Sequence, residues 1–238
     1  MWAFSMGEVK VAAIGAGMWG RNIVRALKEL EEEGVLKLVA VVDADESRAK
    51  SVANEFKAQM YLNRVDKLAE LGIDAATVAV PIDRLVEVAE VLVDCGINVF
   101  VEKPVSMNPD EIRELMDKAV KAGVVAQPGF IVRYDPASKA LREELRGRGT
   151  PRYMVFKRLS RRPEHRMRFP IVYDLMIHDI DLANFLVGGE NFKVLSVLTS
   201  DIAEGVPQTI TVHMTMGKTH IQLVSDGLLP VKVREAEV

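Results

Sequence analysis

The sequence predicts an α/β protein, with an N-terminal doubly wound parallel sheet followed by a smaller α+β domain built on a mainly antiparallel open sheet. Three observations lead there. Short apolar runs alternate with helical patterns through the first half. The glycine-rich segment GAGMWG at 15–20 joins the first apolar run to the first helix. Past residue 151 a two-residue alternation replaces the helical period.

Taken in order, residues 9–14 form a short apolar strand, 19–33 a helix stopped by Gly34, and 36–43 a valine-rich strand. Residues 46–56 are helical, 59–62 a short strand, and 75–80 a strand that ends at Pro81. A helix over 85–95 closes at Gly96, a strand follows at 98–101, a helix over 109–122 closes at Gly123, and 124–127 is a strand. Strands apolar throughout are buried on both faces, and the helical crossovers between them force parallel pairing. A helix over 136–146 leads to a hinge at Gly147, Gly149, Thr150 and Pro151. A first domain is expected at 1–128 and a second at 129–238. Beyond the hinge, strands are expected at 152–159, 192–199, 209–216, 220–225 and 231–235, with one clear helix at 174–186. In 209–216, Ile210, Val212, Met214 and Met216 alternate with Thr209, Thr211, His213 and Thr215, the pattern of a sheet with two unlike faces.

A chain of 238 residues, 49% hydrophobic and 27% charged, is long enough for two modest domains with separate cores, and its net charge of -3 argues against a nucleic-acid partner. Cys95 is the only cysteine, which leaves no internal disulfide and no cysteine metal cluster and suits the cytoplasm. It is expected to be packed at a helix end. The opening MWAFSMGEVK lacks a basic start with a long apolar stretch, and Met6 serves equally well as a start. No run approaches the roughly 20 apolar residues of a membrane span.

GxGxxG arises by chance, and turns use glycine without any ligand. Here the motif follows a strand and opens a helix, so the backbone can approach a pyrophosphate set against the helix N-terminal amides. Asp43 closes the second strand, near the spacing of about 20 residues expected of a carboxylate that binds an adenosine ribose. A carboxylate accepts from both ribose hydroxyls and repels a 2'-phosphate, and Ala44 follows where an arginine would have held that phosphate. NAD is therefore expected in preference to NADP. The plainer role for Asp43 is to cap the loop with Asp45 and Glu46.

The segment DLMIHDID at 174–181 carries a second signal. At about 100° per residue, Asp174, His178 and Asp181 fall on one narrow stripe of a helix, Asp179 points away, and Leu175, Ile177, Ile180, Leu182 and Phe185 supply the buried surface. A carboxylate one turn before an imidazole orients it and raises its basicity, as a general base requires; a surface helix with an incidental acid–histidine pair is the alternative. At VEKP, 101–104, a strand delivers Glu102, Lys103 and Pro104 to the carboxyl edge of the parallel sheet, where ligands of such sheets bind. An ammonium there holds a substrate hydroxyl or carries a proton; otherwise the segment is a charged turn.

In order and spacing, GAGMWG, VEKP and DLMIHDID resemble the Gfo/Idh/MocA family of dehydrogenases, which includes inositol dehydrogenase and glucose–fructose oxidoreductase. GFIVRYDP at 129–136 resembles the family segment after the last Rossmann strand, so the likeness covers roughly residues 9–186. It implies a Rossmann domain, an open C-terminal sheet used for dimer or tetramer contacts, and oxidation or reduction at a sugar or polyol carbon. It further implies that Lys103 is the lysine of the EKP motif, that His178 takes the substrate hydroxyl proton, and that Asp174 and Lys103 orient and relay. The cofactor would lie against Gly15, Gly17, Met18, Trp19 and Gly20. It would also meet Asp43, Pro81, Glu102, Lys103 and Pro104, the last through a cis peptide. Substrate would meet Lys103, Arg161, Asp174 and His178.

The chain departs from the family pattern at VPIDRL, 80–85, and at RFPIVYD, 168–174, and it ends at Val238, a short span past the DLMIHDID helix. Loops that close over substrate in relatives are then expected to be absent, so substrate identity does not transfer from them. Between 157 and 168 lie Lys157, Arg158, Arg161, Arg162, Arg166 and Arg168 against a single Glu164, either a solvated basic loop or a receiver for an anionic substrate. His213 and His220 read as sheet-surface histidines rather than metal ligands. The leading expectation is an NAD-dependent dehydrogenase of a sugar, polyol or derivative. Two others stand beside it: a compact amino-acid dehydrogenase of the aspartate dehydrogenase type, and a non-catalytic NAD(H)-binding sensor or scaffold.

Overall fold

The computed structural model describes residues 8–189, 191–203 and 206–238, so the expectation for the opening segment through Met6 lies outside the described residues. The chain divides into two compact units, Met1–Gly129 and Phe130–Val238.

The first unit is a six-stranded parallel sheet. β1 (Val9–Ile14), β2 (Leu36–Val42), β3 (Met60–Leu62), β4 (Ala75–Val78), β5 (Asn98–Val101) and β6 (Ala126–Pro128) lie in the order β3-β2-β1-β4-β5-β6. Crossovers run through α1 (Met18–Glu32), α2 (Glu46–Phe56), α3 (Leu85–Asp94) and α4 (Pro109–Ala122). The strand order reverses between β1 and β4, and loops leaving their carboxyl ends border the crevice of a doubly wound sheet. Local chemistry sets the helix ends. Asp45 caps α2 by accepting from the Arg48 amide, and Asn108 caps α4 ahead of Pro109 in the first turn. Gly123 ends α4 at φ +68°, a conformation that costs glycine little. The strands are apolar because both faces are covered: Ala12, Ile14, Val78 and Val99 pack on one side, Val11, Ala13, Leu38 and Val41 on the other.

The second unit is a five-stranded mixed sheet. β7 (Tyr153–Leu159), β8 (Phe192–Ala203), β9 (Val206–Met216), β10 (Thr219–Asp226) and β11 (Val233–Glu237) lie in the order β11-β7-β10-β9-β8. β7 and β10 are parallel, and every other pair is antiparallel. Ile210, Val212, Met214 and Met216 are buried, while Thr209, Thr211 and Thr215 are half-buried and His213 exposed, as the two-residue alternation requires. Two helices cover the apolar face, where one was expected. α5 (Pro136–Arg148) contributes Leu141 and Leu145, and α6 (Ile177–Val187) contributes Leu182, Ala183 and Leu186. The helix expected to lead into a hinge is thus part of this unit's core.

One further expectation fails. Cys95, at the C-cap of α3, is exposed rather than packed, because the buried face of that helix is filled by Leu85, Ala89, Leu92 and Val93. No helix among the described residues is long and apolar enough to cross a membrane.

Candidate functional site

The glycine loop is built by close approach. A Cβ on Gly15 would lie 2.3 Å from the carbonyl oxygen of Ala79, and its φ of +93° also favours glycine. A Cβ on Gly20 would lie 1.8 Å from the Gly15 carbonyl oxygen, so this glycine lets the first turn of α1 close onto the loop. Gly17 differs: nothing lies within 4 Å of its Cβ position, and it starts α1 with no side-chain cap. The first-turn amides therefore have no side-chain cap competing for them, as a pyrophosphate site needs. Met18 and Trp19 are 80% and 44% exposed at this edge, and Pro81 is exposed at the end of the β4 loop.

Alanine normally stabilises an exposed helical position relative to glycine by about 1 kcal/mol. Gly20→Ala reverses that sign here and costs about 1–3 kcal/mol through overpacking, with loss of NADH binding. Thermal unfolding and an NADH titration on the same sample check both effects.

Asp43 is tied into the loop. Its Oδ2 accepts from the Ala16 amide at 2.8 Å and its Oδ1 from the Asp45 amide at 2.9 Å. The capping role and the ribose role are compatible, because a carboxylate has further lone pairs. The sequence reading missed Arg48, whose Nη1 stands 3.5 Å from both Asp43 oxygens and whose Nη2 is 3.2 Å from Asp45. The one-turn spacing from Asp45 to Arg48 on α2 was the available signal. The loop fits NAD. Asp43→Ala is expected to weaken NADH by about 10-fold, the worth of a hydrogen bond to a charged group, and to narrow the preference over NADPH. Calorimetric titration with both nucleotides measures it.

At the carboxyl end of β5, Glu102 is 9% exposed, and burial raises its pKa. The Trp19 indole donates to its carboxylate, and the Lys103 amide and charge oppose the rise. Gly129 makes room for it, since a Cβ there would lie 3.2 Å from Glu102 Oε1. The glycine motif, VEKP and the start of GFIVRYDP thus meet through Trp19, Glu102 and Gly129. The Lys103–Pro104 peptide is cis.

In the second unit the DLMIHDID segment is not one regular helix. Val172–Met176 is a π-helix and α6 begins at Ile177, so one uniform angle per residue does not apply from Asp174 to Asp181. Asp174 accepts from Arg162 Nε at 3.0 Å and Arg166 Nη1 at 3.3 Å. Asp181 is paired with Arg133. Asp179 is 4% exposed and takes Arg158 Nη2 at 2.6 Å and Nε at 3.0 Å. Met176 and Leu182 are buried, Leu175, Ile180 and Phe185 pack against the core, and Ile177 and His178 are half-buried. Each acid of this motif thus has an arginine partner distant in sequence, which no local pattern announces.

The arginine-rich stretch splits accordingly. Arg158 and Arg162 are buried in these pairs, Lys157 lies 3.1 Å from Glu237, and Arg161, Arg166 and Arg168 are exposed. His213 and His220 are exposed on the sheet.

Comparison with known proteins bears on both units. Residues 9–130 match the model of the Gfo/Idh/MocA oxidoreductase family with an NAD-binding Rossmann fold. The UDP-N-acetylglucosamine 3-dehydrogenase of Acidithiobacillus ferrooxidans is 31% identical over 192 residues, 81% of this chain and 58% of that protein. The scyllo-inositol 2-dehydrogenase (NAD(+)) of Bacillus subtilis is 28% identical over 198 residues, 77% of this chain and 55% of that protein. The solved structure of the Acidithiobacillus enzyme superposes with a TM-score of 0.85 at 27% identity, over 97% of this chain and 74% of that one. This chain spans little more than half the length of the curated relatives it matches.

Proposed function

This chain belongs to the Gfo/Idh/MocA oxidoreductase family, and on that premise we propose that it transfers a hydride between NAD and a secondary alcohol or carbonyl carbon of a sugar, polyol or sugar derivative. The observation that carries the reading is the glycine loop, with its uncapped helix start, its open face at Gly17 and its tie to Asp43. Bound NAD supplies the hydride acceptor.

The chain supplies position and proton transfer. His178 accepts the substrate hydroxyl proton as general base. Asp174, already held by two guanidinium groups, orients as a fixed acceptor, and Lys103 holds a substrate oxygen and relays. The names of the two curated relatives favour a cyclic sugar or polyol. A single thiol, Cys95, suits a cytoplasmic setting.

Incubation of the full chain with NAD and a panel of inositols, UDP-sugars and amino acids tests the reading through NADH formation. Turnover of a sugar or polyol is the expected result. Turnover of amino acids alone overturns it, as does tight NADH binding with no turnover at all.

The protein is further proposed to self-associate through its C-terminal sheet as a homodimer or homotetramer. β8 is an edge strand on which Phe192, Val194, Leu195, Val197 and Leu198 are exposed, and the threonine-bearing face of β9 adjoins it. Val212 is buried under the helices, so Leu198, paired with Thr211, is the residue to charge. Light scattering at micromolar concentration is expected to show a dimer or larger form that Leu198→Asp dissociates, and a 26.4 kDa monomer of the unmodified chain overturns it.

A further inference from the structure

The arginines between β7 and α6 are of two kinds, and the difference deepens the dehydrogenase reading, on which this inference rests. Arg162 is 3% exposed, and its guanidinium is committed internally. Nε donates to Asp174, Nη1 to Gln208 Oε1 at 2.8 Å, and Nη2 to the carbonyl oxygens of Arg166 at 2.6 Å and Phe169 at 3.0 Å. Gly227 allows this, since a Cβ there would lie 2.6 Å from Arg162 Cδ. Arg158 is 6% exposed and committed to Asp179. Neither can turn to a ligand without leaving a carboxylate poorly paired in the interior.

Arg161, Arg166 and Arg168 are the other kind. All three are exposed. Arg161 makes no hydrogen bond or ion pair among the described residues, and Arg168 lies over the Phe169 ring at 4.7 Å. Arg166 reaches Asp174, but that carboxylate is already matched by buried Arg162, so the charge of Arg166 is not cancelled. His165 is exposed beside them, and Glu164 is the one acid between residues 160 and 169. A protein of net charge -3 therefore concentrates positive charge on one segment, bonded through Arg166 to the turn that precedes His178. The bonds from Arg162 to the carbonyls of Arg166 and Phe169 hold the segment's shape, which lowers the ordering cost of binding. An uncharged polyol offers exposed guanidinium groups only neutral hydroxyl acceptors, whereas phosphoryl oxygens carry the opposite charge and match their planar fork.

We propose that Arg161, Arg166 and Arg168 form a phosphoryl-binding subsite beside the Asp174 turn, so that the substrate is a sugar carrying a phosphoryl group, as a nucleoside diphosphate sugar or a sugar phosphate. The test is calorimetric titration of the full chain, saturated with NADH so that the glycine loop is filled, with UDP and separately with glucose 1-phosphate. At least one binds, more weakly as salt rises. The double variant Arg161→Ala/Arg168→Ala loses about 10-fold or more in that affinity, and Glu164→Gln gains. Tighter binding of UDP identifies a nucleotide sugar, and tighter binding of glucose 1-phosphate a sugar phosphate. Absence of binding by both probes, or binding indifferent to the arginine substitutions, overturns the proposal. Failure of the dehydrogenase reading registers separately, as no NADH binding or no turnover of any alcohol.

Discussion

His178→Ala is expected to lower NAD-dependent turnover by about 100-fold or more, the usual contribution of a positioned general base. NADH affinity should stay nearly unchanged, because the glycine loop and Asp43 belong to the Met1–Gly129 unit and His178 belongs to the other. The loss should fall on kcat and on kcat/KM together, since a proton acceptor acts in the transition state more than in ground-state binding. Single-turnover rates with saturating NAD, alongside NADH titrations, give the split. A variant that keeps more than about a tenth of the turnover refutes the general-base role. A rise in KM with unchanged kcat would instead make His178 a binding residue.

The second large effect is on stability. Asp179→Asn is expected to cost about 3–5 kcal/mol, the range for breaking a buried ion pair from one side. Arg158 is then left with its guanidinium buried between β7 and α6 and without the carboxylate that takes both its Nε and its Nη2. Replacing the pair together, Arg158→Met with Asp179→Leu, is expected to restore most of that loss, because the desolvation of both charges is removed along with their attraction. Denaturant unfolding of the single and double variants gives the cycle, and additive losses would show that the two residues act separately. Burial raises the Asp179 pKa, and Arg158 opposes the rise. A carboxylate whose folded pKa lies above its unfolded one binds its proton more readily in the folded state, so its contribution falls as pH rises through that window and this group does not drive acid unfolding.

Most of the first unit was legible in the sequence. The bounds of β1, α2, β5 and α4 match those read from apolar runs, caps and glycine stops, because such signals act between residues a few positions apart. The alternation in β9 was legible for the same reason. The glycine loop could be recognised because its geometry restricts side-chain size position by position, as the close approaches at Gly15 and Gly20 demonstrate.

The candidate catalytic segment was only half legible. That DLMIHDID carries acids and an imidazole on a helical stretch is plain from its residues. That the stretch opens with a π turn, with Asp174 held by Arg162 and Arg166, Asp179 by Arg158 and Asp181 by Arg133, is not. Cys95 fails for a related reason: a residue at a helix end is buried or exposed according to what the neighbouring elements already fill.

The sequence alone determined the order of elements, the parallel sheet with its glycine loop, and the residue types available for proton and hydride chemistry. Tertiary structure decided which of those charges remain free to meet a ligand. A guanidinium and a carboxylate find each other across 12 to 48 positions of chain by the packing of whole elements, and burial makes such pairs costly to break. Periodicity records which face of an element is apolar, but the partner that crosses from another element to neutralise a buried acid leaves no local trace.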